Sequence, residues 1–318
     1  MLSRIADSLF WINRYLVRAE ETARILDVNY YMVLEESQQL YKLRWGPLIE
    51  IAGERDRFTQ LYQEANAQTV FEFLAFRNDN PNSIVECVAR ARENARTIRE
   101  RISREMWEDL NGLYHTVMNF DADAEVLAGP HNFCNVIRYG AHRFTGVTDS
   151  TLPHDEGWHF LKIGASLERA EMRARIVDVQ YHNLVELSSD VGVADNHQWV
   201  AVLKSVGAYE AYRRHYQTRV EPKQVAELLI LHPQHPQSIR FAMTELQTAL
   251  RSISGTGPGA YANEAERLTG KLLESLRYAS IDEIFEQGLH QYLIDVQRTC
   301  RAIGGQVART YFYYAVGA

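Results

Sequence analysis

Two stretches of thirteen residues, Arg18–Tyr30 (RAEETARILDVNY) and Arg169–Tyr181 (RAEMRARIVDVQY), decide the fold. At a fixed offset of 151, nine of the thirteen positions are identical. A second match near an offset of 155 places FLAFRNDNPNSI of 73–84 over LLILHPQHPQSI of 228–239. Such self-similarity is the signature of repeated structural units. The sequence predicts a tandem duplication, with copy 1 in 1–150 and copy 2 in 151–318, packed as one compact unit.

The hydrophobic pattern predicts helices throughout the chain. Leu16, Ala19, Ala23, Leu26 and Tyr30 recur at alternating steps of three and four, which keeps one stripe facing a partner. No segment reads as a strand in a position that a sheet would need. The expected fold class is all-α, a bundle of long antiparallel helices around a pseudo-two-fold axis. Helices are expected at 3–36, 48–52, 57–67, 69–77, 84–102, 131–144, 158–187, 199–217, 222–231, 236–253 and 280–314, with breaks at 121–130, 146–153 and 188–196.

Composition excludes several classes of protein. A hydrophobic fraction of 46% and a charged fraction of 24% are ordinary globular values. A net charge of −7 argues against a nucleic-acid binder that relies on neutralising phosphates. The three cysteines are far apart and form no CxxC, so neither a disulfide framework nor a zinc site is predicted. With no signal peptide and no apolar run of about 20 residues, we expect a cytoplasmic protein without cofactor, membrane or nucleic-acid partner.

Three charged residues recur on one face of both signature stretches. Glu20, Arg24 and Asp27 are spaced i, i+4 and i+7 beside the apolar stripe, so we expect them to be partly buried. The same spacing returns in the second stretch. Its members there are Glu171, Arg175 and Asp178. The positions between them have diverged, and we expect them to be exposed: Glu21, Thr22, Met172 and Arg173. We expect the leading arginines to project elsewhere: Arg18 and Arg169.

Two interpretations of this charged set compete. In the first, the two helices pack across the pseudo-two-fold axis and the charges form reciprocal ion pairs that fix the register. In the second, the carboxylates and guanidiniums line a polar cavity between the copies and bind an anionic or peptide-like ligand. We prefer the first, because structural ion-pair networks are common and mimic functional sites.

A second constellation lies at 148–159, which has no counterpart in copy 1. Its side chains include potential metal ligands, but the two histidines are five residues apart and so lie on different faces of a helix. We prefer a helix N-terminus, with Ser150 or Thr151 as the cap and acidic residues in the first turn. No metal site is predicted. The secondary candidates are Asp149, His154, Asp155, Glu156 and His159.

One motif in copy 2 resembles a known family. Leu167–Glu171 (LERAE) follows Asp155–Trp158 (DEGW) and is matched by Tyr15–Glu20 (YLVRAE). These residues resemble the bacterial alpha-E family, an uncharacterised helical domain family that is named for its Glu-Arg motif and is typically a tandem duplication. The resemblance covers essentially the whole chain.

The resemblance maps the Glu-Arg dipeptide onto Glu168 and Arg169. In copy 1 the glutamate position is Val17, so only Arg18 carries over, and Asn13 stands where the resemblance leads us to expect glycine. A chain with one complete dipeptide favours asymmetry between the copies or a structural role for the motif.

The resemblance also implies a functional context. Such proteins are similar to ones encoded beside circularly permuted ATP-grasp ligases, transglutaminase-like proteins and NTN-type peptidases, which implies peptide synthesis or modification. We therefore expect a non-catalytic accessory protein that binds an ATP-grasp-type ligase, or its peptide product, with a transglutaminase-like protein as a second expected partner. One alternative is an enzyme subunit that uses Glu168, Glu171 and His154 or His159 for acid/base or metal-assisted chemistry on a peptide. The other is a purely structural scaffold.

Overall fold

A computed structural model of the chain describes residues 1–34, 45–187 and 194–313, which form sixteen helices and no strand. The expectation of an all-α fold is therefore confirmed. The first half contains α1 (Ser3–Leu34), α2 (Gly46–Ala52), α3 (Arg55–Leu61), α4 (Ala67–Ala75), α5 (Ile84–Thr97), α6 (Arg104–Met118), α7 (Ala122–Ala128) and α8 (His131–Thr151). The second half contains α9 (Glu156–Leu187), α10 (Ala194–Ser205), α11 (Tyr209–Tyr216), α12 (Pro222–Leu231), α13 (Ile239–Ser254), α14 (Glu264–Tyr278), α15 (Ile281–Gln287) and α16 (Leu289–Val307).

Several boundaries differ from the expected ones because capping residues open helices at positions that the hydrophobic pattern does not mark. The long helix expected at 84–102 ends at Thr97, and Ser103 opens α6 by accepting a hydrogen bond from the Met106 amide. The break expected at 121–130 contains α7, which Asp121 caps. The capping box at Ser280 is present, but Gly288, at φ 99°, ends α15 within two turns. The break expected at 188–196 lies outside the described residues as far as residue 193.

The two longest helices, α1 and α9, lie side by side and run in the same direction. Ion pairs join Arg14 to Glu168 and Glu21 to Arg173, at nearly equal sequence separations of 154 and 152. Between them the described residues form seven further α-helices, and the chain returns to the end at which it began, where the Met1 ammonium pairs with Glu156 at 2.9 Å. The central pair is thus parallel, which departs from the expected antiparallel arrangement.

The helices that flank this central pair are antiparallel to it. In α8, His131 contacts Asp27 near the end of α1, whereas His142 contacts Glu20, about two turns earlier in α1. In the same way α16 runs against α9. Each long helix is therefore covered on several sides, and the buried hydrophobic residues of both halves form one cluster. None of the helices in the described ranges is long and apolar enough to cross a bilayer.

One glycine allows the central helices to approach closely. An ideal Cβ at Gly164 would lie 2.1 Å from the Phe10 carbonyl oxygen of α1, which is a backbone atom that cannot move aside cheaply. Only a residue without a side chain fits such a crossing. The close approach lets Arg14, Arg18 and Glu21 of α1 form ion pairs with α9, where their partners are Glu168, Glu171 and Arg173.

Candidate functional site

The glutamate of the Glu-Arg dipeptide is buried at the seam between α1 and α9. Glu168 accepts hydrogen bonds from Arg14 Nε at 2.6 Å, Arg18 Nε at 2.7 Å and Arg18 Nη2 at 3.0 Å. Burial by itself raises the pKa of Glu168, but the attraction of the two guanidiniums and their hydrogen bonds outweighs it and lowers the pKa to about 2. Glu168 is therefore an ionised carboxylate that holds α1 against α9.

A second ion pair crosses the same seam, with its arginine on α9 and its glutamate on α1. Arg173 of α9 donates through Nη2 to Glu21 Oε1 at 2.8 Å, and its other guanidinium contacts include the side-chain oxygen of Gln237. The expectation that Glu21, Thr22, Met172 and Arg173 are exposed is wrong, since all four are buried. Helices that are covered on several sides bury positions well outside one apolar stripe. No spacing signal marked this pair, because its two residues are not equivalent at the offset of 151.

In the first half, Glu20 is bound within α1 and from α8. Arg24 Nη2 donates to Glu20 Oε1 at 2.7 Å, and His142 Nε2 lies 2.8 Å from the same oxygen. Burial raises the pKa of Glu20, whereas the hydrogen bond of His142 and the charge of Arg24 lower it, and the net result is a pKa of about 2. The glutamate stays ionised at neutral pH.

Glu171 occupies the equivalent place in the second half. Arg175 Nη2 donates to Glu171 Oε1 at 2.6 Å, Arg14 Nη2 donates to Oε2 at 3.0 Å, and Arg301 Nε lies 3.8 Å from Oε1. Three guanidiniums thus surround one buried carboxylate. The largest difference from Glu20 is Arg14, which reaches Glu171 from the other central helix.

Asp27 and Asp178 each contact a histidine from the last long helix of their half. His131 Nδ1 lies 2.9 Å from Asp27, and His290 Nδ1 lies 2.5 Å from Asp178. Each aspartate also accepts a weaker bond from the same flanking helix. The contacts of Glu20 and Asp27 come from His131, Arg138 and His142. The contacts of Glu171 and Asp178 come from residues 159 positions after these three, namely His290, Gln297 and Arg301.

The guanidinium groups of Arg24 and Arg175 each lie next to a glycine of the opposite half of the chain. An ideal Cβ at Gly207 would lie 3.2 Å from Arg24 Nη1, and one at Gly53 would lie 3.1 Å from Arg175 Nη1. The charged set does not form the reciprocal pairs across the seam that we expected. Its i, i+4 spacing lets each arginine pair with the glutamate of its own helix, and other residues bridge the seam.

The arginine of the dipeptide has different surroundings. Arg169 is half-buried and lines a cavity of about 20 Å³ between α1, α8 and α9. The inner wall includes Asn13, Val17 and Glu20, which are buried. Among the described residues, no side chain forms a hydrogen bond or ion pair with Arg169. The Glu-Arg dipeptide therefore joins a structural glutamate to a guanidinium that is free to bind something else.

The comparison with known families agrees with this dipeptide. Residues 1–312 match Alpha-E, described as an alpha-helical domain with a conserved ER motif. The chain belongs to the Alpha-E family. The sequence resemblance maps the ER motif onto Glu168-Arg169, at the seam and the cavity described above.

Relatives of this Alpha-E chain occur in mycobacteria. They include an uncharacterized protein of Mycobacterium bovis and two of Mycobacterium tuberculosis, each 22% identical over 313 residues. The match covers 92% of this chain but only 34% of each relative, so the chain spans about a third of their length. A comparison with solved structures finds no match.

The secondary candidates of the Alpha-E chain lie around the start of α9. Asp149 accepts hydrogen bonds from Trp158 Nε1 at 3.0 Å and from Lys162, and the His154 ring stacks on Trp158 at 4.1 Å. Asp155 accepts a bond from the Gly157 amide at 2.8 Å. Glu156 is already engaged by the Met1 ammonium. Asp149, His154, Asp155 and Glu156 therefore each have a structural partner, whereas Nδ1 of His159 is buried without a hydrogen-bond partner among the described residues.

The expected cap of α9 is wrong. Ser150 and Thr151 belong to the last turn of α8, where their hydroxyls donate to carbonyls of the preceding turn, and the aspartate at 155 serves the start of α9 instead. The described part of the chain contains no group of three or more histidine, cysteine or acidic side chains arranged to hold a metal ion. His159 and Glu168 are nine residues apart on one helix, or about 13 Å, so they cannot act on one reacting atom.

The three cysteines are buried within the helical core. Burial raises the pKa of Cys87 and of Cys300 to about 12, and it also raises that of Cys134. A thiol needs a low pKa and access to solvent to act as a nucleophile. These side chains therefore serve as small core residues.

Proposed function

We propose that this Alpha-E chain is a non-catalytic accessory protein that works with an ATP-grasp-type ligase, and with a transglutaminase-like protein, in a peptide synthesis or modification system. The observation that carries the proposal is the engagement of Glu168 by Arg14 and Arg18. The motif carboxylate is already paired with two arginines inside the protein. The ligase and the peptide come from the family resemblance.

The electrostatics of the carboxylates support a role without proton transfer. An efficient general acid or base has a pKa near the operating pH. The pKa values of Glu168 and Glu20 are about 2, so both are ionised and paired at neutral pH. Such groups can fix a shape that a partner recognises, but they are poorly suited to exchange protons with a substrate.

The mycobacterial relatives support a role in company with other protein segments. The matched region is 34% of each relative, so there it is part of a longer chain. We infer that this chain likewise works together with other protein segments.

We also infer that the two halves are copies of one ancestral unit. Eight described helices, α1–α8, are followed by eight more, α9–α16, and the partners of Glu20 and Asp27 recur 159 residues later around Glu171 and Asp178. An experimental structure tests this inference. If α1–α8 and α9–α16 do not superimpose helix by helix, the duplication is wrong.

Reconstitution tests the accessory role. A purified ATP-grasp-type ligase of the kind that the family resemblance implies is assayed for ATP consumption and peptide product, alone and with increasing amounts of the chain. We expect product formation to require the chain and to saturate near equimolar amounts. The matched variant is Arg169→Gln, which alters the free motif arginine without removing an ion pair between α1 and α9, and the control is Arg298→Gln on the exposed surface of α16.

Three results would contradict the proposal. A ligase that works equally well alone removes the accessory role in that step. Turnover of the peptide by the purified chain alone, together with stoichiometric metal in elemental analysis, favours the enzyme alternative. A scaffold without partner specificity would leave ligase activity insensitive to both variants.

A further inference from the structure

The two arginines that lead the signature stretches have opposite fates. Arg18 donates to both oxygens of Glu168, at 2.7 and 3.0 Å. Its equivalent at the offset of 151 is Arg169, and the equivalent of Glu168 is Val17. Val17 and Arg169 line the same cavity, but valine offers no acceptor. The cavity therefore lacks a carboxylate at the place where the other half of the seam has one.

A second difference creates the space. Arg14 fills the region beside Glu168 and Glu171, with its guanidinium 5.3 Å from the Trp11 ring. The equivalent of Arg14 at the offset of 151 is Ala165, which lines the cavity. Replacing the long side chain by a methyl group leaves the room that the other half fills.

The buried wall of the cavity carries a negative charge. Glu20 Oε1 is occupied by Arg24 and His142, and no described donor bonds to Oε2. The cavity thus presents a guanidinium without an acceptor and a carboxylate oxygen without a donor. A guanidinium binds a carboxylate bidentately, with a geometry that a lysine cannot reproduce.

We propose that the cavity between α1, α8 and α9 binds a free carboxylate, carried by an amino acid or by the C-terminus of a peptide, with Arg169 as its bidentate donor. If the ligand is an amino acid, its ammonium group lies toward Glu20 Oε2. Lys162 supplies a second positive charge at the outer end. This proposal does not depend on the ligase partner, since it concerns direct binding to the chain.

The outer end of the cavity can open at little cost. In its present shape the cavity holds about one water molecule. Its rim includes the Asp149–Lys162 pair, at 3.3 Å, with side-chain exposures of 43% and 25%. Exposed pairs of this kind contribute about 0–1 kcal/mol. An incoming carboxylate can therefore replace Asp149 as the partner of Lys162 and reach Arg169.

Calorimetric titration of the purified chain tests the proposal with three probes. They are N-acetyl-L-alanyl-L-alanine, its C-terminal amide, and free L-alanine. We expect the acid to bind at least about tenfold more tightly than the amide. The acid and the free amino acid distinguish the two sources of the carboxylate. The Trp158 indole N–H, which bonds to Asp149, gives a nuclear magnetic resonance signal that should shift only if the probe enters this cavity.

Two variants make the test specific. Val17→Glu supplies the missing carboxylate from within the protein, so we expect a folded protein whose affinity for the acid falls about tenfold or more. Arg169→Gln should lower the affinity equally, and Arg298→Gln should leave it unchanged. The proposal is overturned if the amide binds as well as the acid, if Arg169→Gln binds normally, or if no acid probe binds saturably at millimolar concentration.

Discussion

Arg173 of α9 donates two hydrogen bonds to Glu21 of α1, and both side chains are almost completely enclosed, with exposures of 1% and 3%. Two opposite charges are thus removed from water at the seam between the two longest helices. Taking charges out of water is costly, and their mutual attraction offsets that cost only while both are present. The pair therefore sets the register of the helices and makes each residue dependent on the other.

Removing one member of this pair should destabilise the protein strongly. We expect Arg173→Met to lower the free energy of unfolding by about 3–5 kcal/mol, because Glu21 is left buried without its cation. The double variant Glu21→Leu/Arg173→Met should recover most of that loss. Urea denaturation measures both. Equal stabilities of the single and double variants would show that the two charges are not coupled.

The close crossing at Gly164 should not tolerate a methyl group. We expect Gly164→Ala to lower the free energy of unfolding by about 1–3 kcal/mol, since the added Cβ meets the Phe10 carbonyl and the helices must separate. Gly112 and Gly146 are matched controls inside helices, with nothing within 4 Å of an added Cβ. Alanine there should stabilise by up to about 1 kcal/mol. Similar losses at all three positions would contradict the crossing.

The pKa of Glu168 predicts how its contribution varies with pH. Its pKa is about 2 in the folded protein, compared with 4.5 for an ordinary glutamate side chain. Its charge therefore stabilises the fold above pH 4.5, and this stabilisation is lost as the pH falls toward 2. We expect Glu168→Gln to be less stable than the wild type at pH 7. The difference should narrow below pH 4.5. A difference independent of pH would mean that the lost stability does not come from the charge.

Thiol reactivity reports the burial of the cysteines. We expect Cys87, Cys134 and Cys300 to resist a disulfide exchange reagent at pH 8 in the native protein, because they are buried and their pKa values are raised. All three should react in denaturant. Rapid reaction of one thiol under native conditions would place it at the surface.

The sequence predicted the helical class because periodicity is a local property. The steps of three and four residues mark α1 and α9, and the serine that caps α15 is visible as Ser280 followed by Glu283. The ends of the helices were harder to predict. The helix expected to run through Ile98 breaks there because Ser103 caps the next helix, a choice that depends on how α5 and α6 pack.

The candidate site was only partly predictable. Repetition drew attention to Glu20 and Glu171, but the pair formed by Glu21 and Arg173 carries no repeated signal, because its members lie at different positions of the two stretches. The sequence indicates asymmetry at Val17, but it does not show that Arg18 is paired and Arg169 is not. This difference depends on Val17 and Ala165 of the facing helices, and only the three-dimensional contact between α1 and α9 shows their importance.

The same substitution at the two leading arginines tests the central claim most directly. Arg18→Gln and Arg169→Gln are compared by urea denaturation at pH 7. We expect Arg18→Gln to lower the free energy of unfolding by about 2–3 kcal/mol, because it removes charged hydrogen bonds to buried Glu168. Arg169→Gln should change it by less than about 0.5 kcal/mol, because this arginine has no partner among the described residues. Equal losses at both positions would show that Arg169 is a structural residue and would contradict the account.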